Sequence, residues 1–446
     1  MMQVHQLALA AFSLLFALPV MASPAKNVVL YVGDDLGREF VGCYGNPQAQ
    51  TPGMDALASE GMRFENAFCT TASCSPSRSV LLTGLQNHAN GQYGLAHYNF
   101  STREKMRSLP ARLSEAGYRT VLAGKFHLAP EAVYPFDVTI PVQTPQKMAE
   151  RVREHIELDS EQPFFLYFCP VEPHRPFSHG DMPVPPAAEI KVPSWLPDTP
   201  EAREEVALNH ASARQCDAGL VALIQTLKDT GHWDDTLVIL LSDNGAPFPG
   251  AKTTHYEPGV RLPCVMRLPG MEKAGTASDA LISWCDITPT ILEFAEVPIR
   301  KGDTHGRSLL PLLKGEASEE PNEVFLSHTF HEVTMYYPMR TLREKRFKMI
   351  WNLAHELPFP TAQDLYDSQT WQASLIGEAT HYGKRELAAY LQRPEFELYD
   401  LESDPDELIN LAQSPEHAAT LMRMQARLRE LQKDTKDPWL LKWDHE

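Results

Sequence analysis

Asn27-Val28-Val29-Leu30-Tyr31-Val32 runs into Gly33-Asp34-Asp35, and this stretch decides the fold. A near-continuous apolar run that stops at a turn suits a strand buried on both faces of a parallel sheet. Further strands are expected at Thr120 to Ala123, Phe164 to Phe168 and Thr236 to Leu241. Helical patterns lie between them. One starts at Thr51-Pro52, with Thr51 as N-cap, Pro52 as first helical residue and Met54, Leu57 and Ala58 as the buried stripe. Another spans Ala202 to Lys228. The alternation predicts an α/β fold, a large, mostly parallel sheet flanked by helices. Such sheets bind ligands beyond the carboxyl ends of their strands. Two acidic clusters sit at such ends, Asp34-Asp35 after the first strand and Asp243-Asn244 after Thr236 to Leu241.

The chain has 446 residues, enough for one large domain with a sizeable appendage or for two to three modest ones. A formal charge of -18 excludes the basic footprint that nucleic acid requires. It would also repel a polyanion, so any anion site must concentrate positive charge locally. The apolar run Leu7 to Val20 before Val20-Met21-Ala22 reads as a signal peptide over residues 1–22, cleaved after Ala22. Its fourteen residues fall short of the roughly twenty that span a bilayer. No second stretch is long enough, so the expectation is an exported protein without a membrane span, periplasmic or secreted, or lumenal in a eukaryote.

Lys314 to Asn322 turns polar, which suggests a boundary between a domain at 23–318 and a smaller α+β domain at 319–446. The second part has strand-like pieces at Val324 to Leu326, Phe347 to Trp351 and Phe396 to Leu401, then a charged helix over Ser414 to Lys433. Seven cysteines show no metal-finger spacing, and their odd number leaves at least one unpaired thiol in an exported protein. Cys74 is the candidate.

Cys74-Ser75-Pro76-Ser77-Arg78 continues to Thr83-Gly84. Ser75 before Pro76 predicts an N-cap and first helical position, placing Cys74 at a helix N-terminus. Free N–H groups and the helix dipole favour an anion there. Alone, the segment is also readable as a capped helix beside a buried cysteine. Asp34, Asp35, Asp243 and Asn244 offer only oxygen ligands, a hard set suited to Ca²⁺ or Mg²⁺ rather than zinc. Gly124-Lys125-Phe126-His127, Pro173-His174-Arg175-Pro176 and Lys252 to Arg261 complete the list. Singly, each is more often surface charge; together they supply the local positive charge the acidic chain lacks.

Cys-x-Pro-Ser-Arg followed by Thr-Gly resembles the signature of the type I sulfatases, which are formylglycine-dependent, and the resemblance covers nearly the whole mature chain. It implies an alkaline-phosphatase/sulfatase-like fold whose C-terminal domain carries an antiparallel sheet. It implies that a maturase oxidises Cys74 to formylglycine. It also implies one Ca²⁺, held by Asp34, Asp35, Asp243, Asn244 and the modified Cys74. Arg78, Lys125, His127, His174 and Lys252 carry over as catalytic residues, with Asp243 activating the nucleophile. Ser327 to Arg340, Pro358-Phe359-Pro360, Gly94-Leu95 with His97, and Val133 to Asp137 resemble the heparan N-sulfatases, or sulfamidases, more narrowly. That likeness implies a sulfated saccharide substrate bearing an N-sulfate, contacted by Arg175, His331 and Glu332. It leaves a homodimer open. Two residues differ from the sulfamidase pattern: Lys252 stands where Arg is expected, and Glu172 where Asp is expected. The competing readings are an O-sulfatase on another polysaccharide such as an algal glycan, a phosphatase or phosphonate hydrolase of the same superfamily, and a silent sugar-binding protein whose Cys74 stays a thiol.

Overall fold

Strand β1 (Asn27–Gly33) is buried along its whole length because its two faces feed two different cores. Val28, Leu30 and Val32 pack with Val80, Leu81 and Leu82 of the helix that follows Cys74. Val29 and Tyr31 pack on the opposite face with Met54 and Leu57, and with Leu220 and Leu223 of the long helix Pro200–Asp229. Alternate side chains point to opposite faces of a strand, so a strand covered on both faces must be apolar at every position. Each such fully buried side chain contributes roughly 2 kcal/mol.

The structure is a computed structural model that describes residues 26–158, 162–316 and 322–445. The expected signal peptide at 1–22 and the expected boundary at 318/319 lie outside the described residues. Eight strands form the main sheet. They are β1, β2 (Met62–Phe68), β3 (Arg119–Gly124), β4 (Val138–Ile140), β5 (Phe164–Cys169), β6 (Thr236–Ser242), β7 (Cys264–Arg267) and β8 (Thr276–Ser283). Their order is β4-β3-β5-β1-β6-β7-β2-β8. Every neighbouring pair is parallel except those of β7, which runs antiparallel to both β6 and β2. The α/β expectation holds, with one reversed strand that the sequence pattern did not mark.

β1 and β6 are neighbours, and Gly33 lies opposite Ser242. The two acidic clusters therefore leave the sheet side by side. This register is the step that turns two separate motifs into one site.

A second sheet lies in the C-terminal region, formed by β9 (Glu323–His328), β10 (Met339–Glu344), β11 (Phe347–Asn352) and β12 (Phe396–Asp400). All its pairs are antiparallel, in the order β12-β11-β10-β9. The expected closing helix begins at Ala418 rather than Ser414 and covers this sheet with Met424 and Leu428. The Ser327 N–H donates to the Thr70 carbonyl at 2.7 Å, tying β9 to the segment just before Cys74. Among the described residues no helix is long and apolar enough to cross a membrane. All seven cysteines are free thiols.

Helix α1 (Pro52–Glu60) starts where expected, but Thr51 does not cap it. The Thr51 hydroxyl instead accepts from the Gly42 N–H at 2.8 Å. The orphan N–H groups of Gly53 and Met54 donate to the Asp217 carboxylate at 3.0 and 2.7 Å. A first turn packed against another helix is closed to water, so a neighbour must supply the acceptors. Burial pushes Asp217 up to about 6 while those two N–H bonds pull the other way. Asp217→Ala should lower stability by about 2 kcal/mol. The urea unfolding midpoint reads this, and an unchanged midpoint would show that the first turn finds other acceptors.

Candidate active site

Helix α2 (Cys74–Thr83) begins two residues earlier than the Ser75-Pro76 reading places it, with Ser73 as its N-cap residue. Both serines are engaged elsewhere. Ser73 Oγ lies 2.8 Å from His331 Nδ1, and Ser75 Oγ accepts from the Ala96 N–H at 3.0 Å. Pro76 within the first turn costs nothing, because the N–H it lacks would have no intrahelical partner. Gly84 ends the helix at φ 69, a left-handed position that glycine takes without strain, and its N–H closes on the Val80 carbonyl. The motif thus works as a short, wholly buried helix aimed at one point, with Cys74 at its positive end.

At that point the strand ends converge. Asp34, Asp35, Asp243 and Asn244 are all buried. Asp243 Oδ1 accepts from the N–H groups of Asp35 and Asn244 at 3.0 and 2.9 Å. Asn244 Nδ2 donates to Asp35 Oδ1 at 2.6 Å, and Cys74 Sγ lies 3.8 Å from that same oxygen. Asp34, Asp35 and Cys74 each bring a donor atom within 4.8 Å of the others, and Asn244 Oδ1 is buried without a partner. This is the donor set a hard divalent cation takes.

Three cations balance the cluster. Arg78 Nε donates to Asp243 at 2.9 Å, and its NH2 group reaches Asp34 at 3.3 Å. Lys125 Nζ holds both oxygens of Asp34 at 2.8 and 2.6 Å. Lys252 Nζ donates to Asp35 at 2.9 Å. Burial works against charge on Asp34, yet Lys125, His174 and Arg78 hold it well below the usual carboxylate range. Asp243 goes the other way, pushed up to about 7 by burial, with Asp34 and Asp35 adding and Arg78 opposing. The crowded carboxylate oxygens and the partnerless Asn244 Oδ1 suit a divalent cation. Burial also pushes the Cys74 thiol well up, so an unmodified Cys74 is a protonated, weak nucleophile.

Two histidines flank the cluster. His174 Nε2 lies 3.4 Å from Lys252 Nζ and 3.7 Å from Asp35, while its Nδ1 meets the Arg175 carbonyl at 2.5 Å. A carbonyl only accepts, so Nδ1 carries the proton and Nε2 faces the site. His127 Nε2 lies 2.8 Å from His97 Nδ1, and the two rings stack with centroids 5.1 Å apart. Burial, Lys125 and Arg78 together keep His127 uncharged. Asp35 and His127 adopt φ of 62° and 55°, left-handed conformations that non-glycine residues rarely take and that collect at functional sites.

The structure thus gathers Asp34, Asp35, Cys74, Arg78, Lys125, His127, His174, Asp243, Asn244 and Lys252 in one place. The three residues expected to contact sugar are placed differently. Arg175 turns inward: it forms a two-pronged pair with Glu205 at 2.5 and 3.0 Å, bonds the Pro247 carbonyl, and stacks over Phe177 and Phe248. Those contacts engage the guanidinium entirely within the protein. His331 is buried against Ser73, and Glu332 accepts from the Gln363 N–H at 2.9 Å.

Sequence reasoning missed Asp364, whose Oδ2 lies 2.7 Å from Lys252 Nζ and 3.9 Å from His174 Nε2. No local pattern marks it, since it stands in the polar run Thr361-Ala362-Gln363-Asp364, 112 residues from its partner. Only the nearby Pro358-Phe359-Pro360 hinted at the region. A cleft of about 580 Å³, lined by Trp195, Tyr382 and Arg385, lies apart from all these residues. Among the charges along it, Arg38 pairs with Glu65 and Lys384 with Asp406.

Comparison with known proteins agrees with this geometry. Residues 26–297 match the Sulfatase family, and residues 251–375 match the C-terminal family of N-sulphoglucosamine sulphohydrolase. The chain is 37% identical to the N-sulphoglucosamine sulphohydrolase of Homo sapiens, across 97% of this chain and 94% of that protein. It is 32% identical to an ulvan-active sulfatase of Formosa agariphila, across 89% of this chain and 77% of that protein. A solved structure in complex with its substrate D-glucosamine-2-N,6-O-disulfate superposes with a TM-score of 0.70 at 21% identity, covering 93% of this chain and 99% of that one. At that identity the likeness is one of fold. With a curated relative aligned along almost its whole length and the signature cysteine seated among the oxygen donors, the chain belongs to the sulfatase family.

Proposed function

We propose that this sulfatase is an exported enzyme that removes the N-sulfate from a terminal glucosamine of heparan sulfate or heparin fragments. One observation carries the reading. The segment that matches the N-sulphoglucosamine sulphohydrolase C-terminal family supplies Lys252, His331 and Asp364 to the surroundings of Cys74.

Sulfatases generally use a formylglycine and a metal ion; here formylglycine at position 74 supplies the attacking hydroxyl and Ca²⁺, held by Asp34, Asp35, Asp243 and Asn244, supplies Lewis acidity. The protein's own residues do the rest. Four carboxylates (Asp34, Asp35, Asp243, Asp364) face three cations (Arg78, Lys125, Lys252), so a divalent ion leaves the site with one net positive charge. A singly charged sulfate group complements it. Arg78 and Lys125 fix the carboxylates, and Lys252 directs its ammonium at the sulfate oxygens as charge develops there. Asp243 serves as the base beside position 74. His174, 29% exposed at its side chain, delivers a proton from Nε2 to the departing nitrogen, with Lys252 beside it. His127, uncharged and with Nδ1 free of any partner, takes up a proton as sulfate is released, and the exposed His97 links it to solvent.

Sulfate release from N-sulfoglucosamine, glucosamine 6-O-sulfate and ulvan oligosaccharides tests the reading, using protein whose position-74 peptide is aldehyde-bearing by mass spectrometry. Release from N-sulfoglucosamine is expected. Release from the O-sulfated sugars alone would overturn the sulfamidase reading and leave the family untouched. Cys74→Ala should lower the rate by at least on the order of 10³-fold.

The metal has its own readout. Ca²⁺ at a hundred times its Kd should raise the melting temperature of the chelator-treated protein by roughly 3 °C, and Asp35→Ala should abolish the rise. A larger rise with Mg²⁺ than with Ca²⁺ would assign the site to the smaller ion.

A further inference from the structure

Asp364 sits on the short helix Gln363–Tyr366, outside the strand ends that hold the rest of the site. Its position is fixed from behind. The Gln363 N–H donates to Glu332, and Ala362 and Leu365 are buried against Met335. The carboxylate is used on one side only: Oδ2 bonds Lys252, while Oδ1 is buried and has no hydrogen-bond partner. An acceptor closed off from solvent calls for a donor, and no protein group among the described residues supplies one. Burial opposes its charge, but Lys252, His331 and the Lys252 hydrogen bond hold the group well below the usual carboxylate range. The result is a fixed anion whose Lys252-bonded oxygen also lies 3.9 Å from His174 Nε2, and whose second oxygen has no protein donor.

The two kinds of leaving group differ at this point. When an S–N bond breaks as the new S–O bond forms, the nitrogen keeps the bonding pair and takes a proton from His174 Nε2, giving an amine. At neutral pH that amine takes a second proton from solvent and becomes an ammonium ion, with one positive charge and three donors. A sulfate ester releases a neutral hydroxyl with one donor. Only the nitrogen leaving group yields a cation beside the Asp364 carboxylate, which neighbours His174 Nε2.

Resting on the sulfamidase reading above, we propose that Asp364 is a specificity-determining residue that accepts the N–H of the scissile nitrogen and then holds the product ammonium, favouring sulfamates over sulfate esters. Charge-assisted hydrogen bonds are about twice as strong as neutral ones, and a site built to satisfy a donor rejects the analogue that lacks it.

The test compares Asp364→Asn and Asp364→Glu with the wild-type, formylglycine-bearing enzyme on N-sulfoglucosamine and on 4-nitrophenyl sulfate, whose leaving group needs no proton. Asp364→Asn should lower the ratio of the two kcat/KM values by on the order of 10²-fold, and Asp364→Glu should restore part of it. Calorimetry gives a second readout. Asp364→Asn should weaken binding of glucosamine by at least tenfold relative to its effect on the uncharged N-acetylglucosamine. Equal losses on both substrates, with no change in glucosamine preference, would reduce Asp364 to a partner of Lys252 and overturn this proposal alone. A wild-type enzyme that cleaves 4-nitrophenyl sulfate but not N-sulfoglucosamine would overturn the functional reading and the proposal together.

Discussion

Three carboxylates buried at the ends of adjacent strands repel one another, and the site is organised around that repulsion. Two like charges about 4 Å apart oppose each other by roughly 4 kcal/mol at the effective dielectric of a protein site. Asp34, Asp35 and Asp243 persist because Arg78, Lys125 and Lys252 reach them from three separate segments. Arg78 is one turn along the helix that begins at Cys74 and is fully buried. Seating its guanidinium between Asp34 and Asp243 therefore also seats Cys74. Removing one member of such a pair leaves a buried unpaired charge, a loss of about 3–5 kcal/mol. Stability and the arrangement of the site rest on the same contacts.

Much of this was legible in the sequence because it follows from local rules. β1, β3, β5 and β6 announce themselves as apolar runs, since a strand covered on both faces has no polar position. The acidic residues stand where the chain leaves such strands, which is where parallel sheets bind ligands. The cysteine motif carries its helix start in Pro76 and its helix end in Gly84.

What escaped is long-range. Nothing local says that β1 and β6 are neighbours, or that β7 runs backwards between β6 and β2. Thr51 and Ser75 look like caps, but tertiary partners claim their hydroxyls, and a carboxylate from a distant helix caps α1 instead. Arg175 looks like a ligand-binding cation beside His174. Glu205, on the long helix Pro200–Asp229, is its buried partner.

The C-terminal region completes the site rather than merely covering it. β9 is bonded to the segment just before Cys74, His331 holds Ser73, and Asp364 closes on Lys252. Cys74 stands on a helix packed against the main sheet, the acidic cluster stands at the ends of its strands, and His331 and Asp364 reach this group from beyond position 330. A fold hosts different activities by varying the groups around a fixed chemistry. Attack on sulfur makes the same demands whatever the sulfate is attached to, so the main sheet can stay constant. The atom that departs differs between a sugar nitrogen and a sugar oxygen, and on the proposed reading it is met by His174 together with the segment carrying Lys252 and Asp364. Substrate choice among such enzymes should therefore be written in that segment, in side chains whose partners lie about a hundred residues away, where neither motif nor periodicity reveals them.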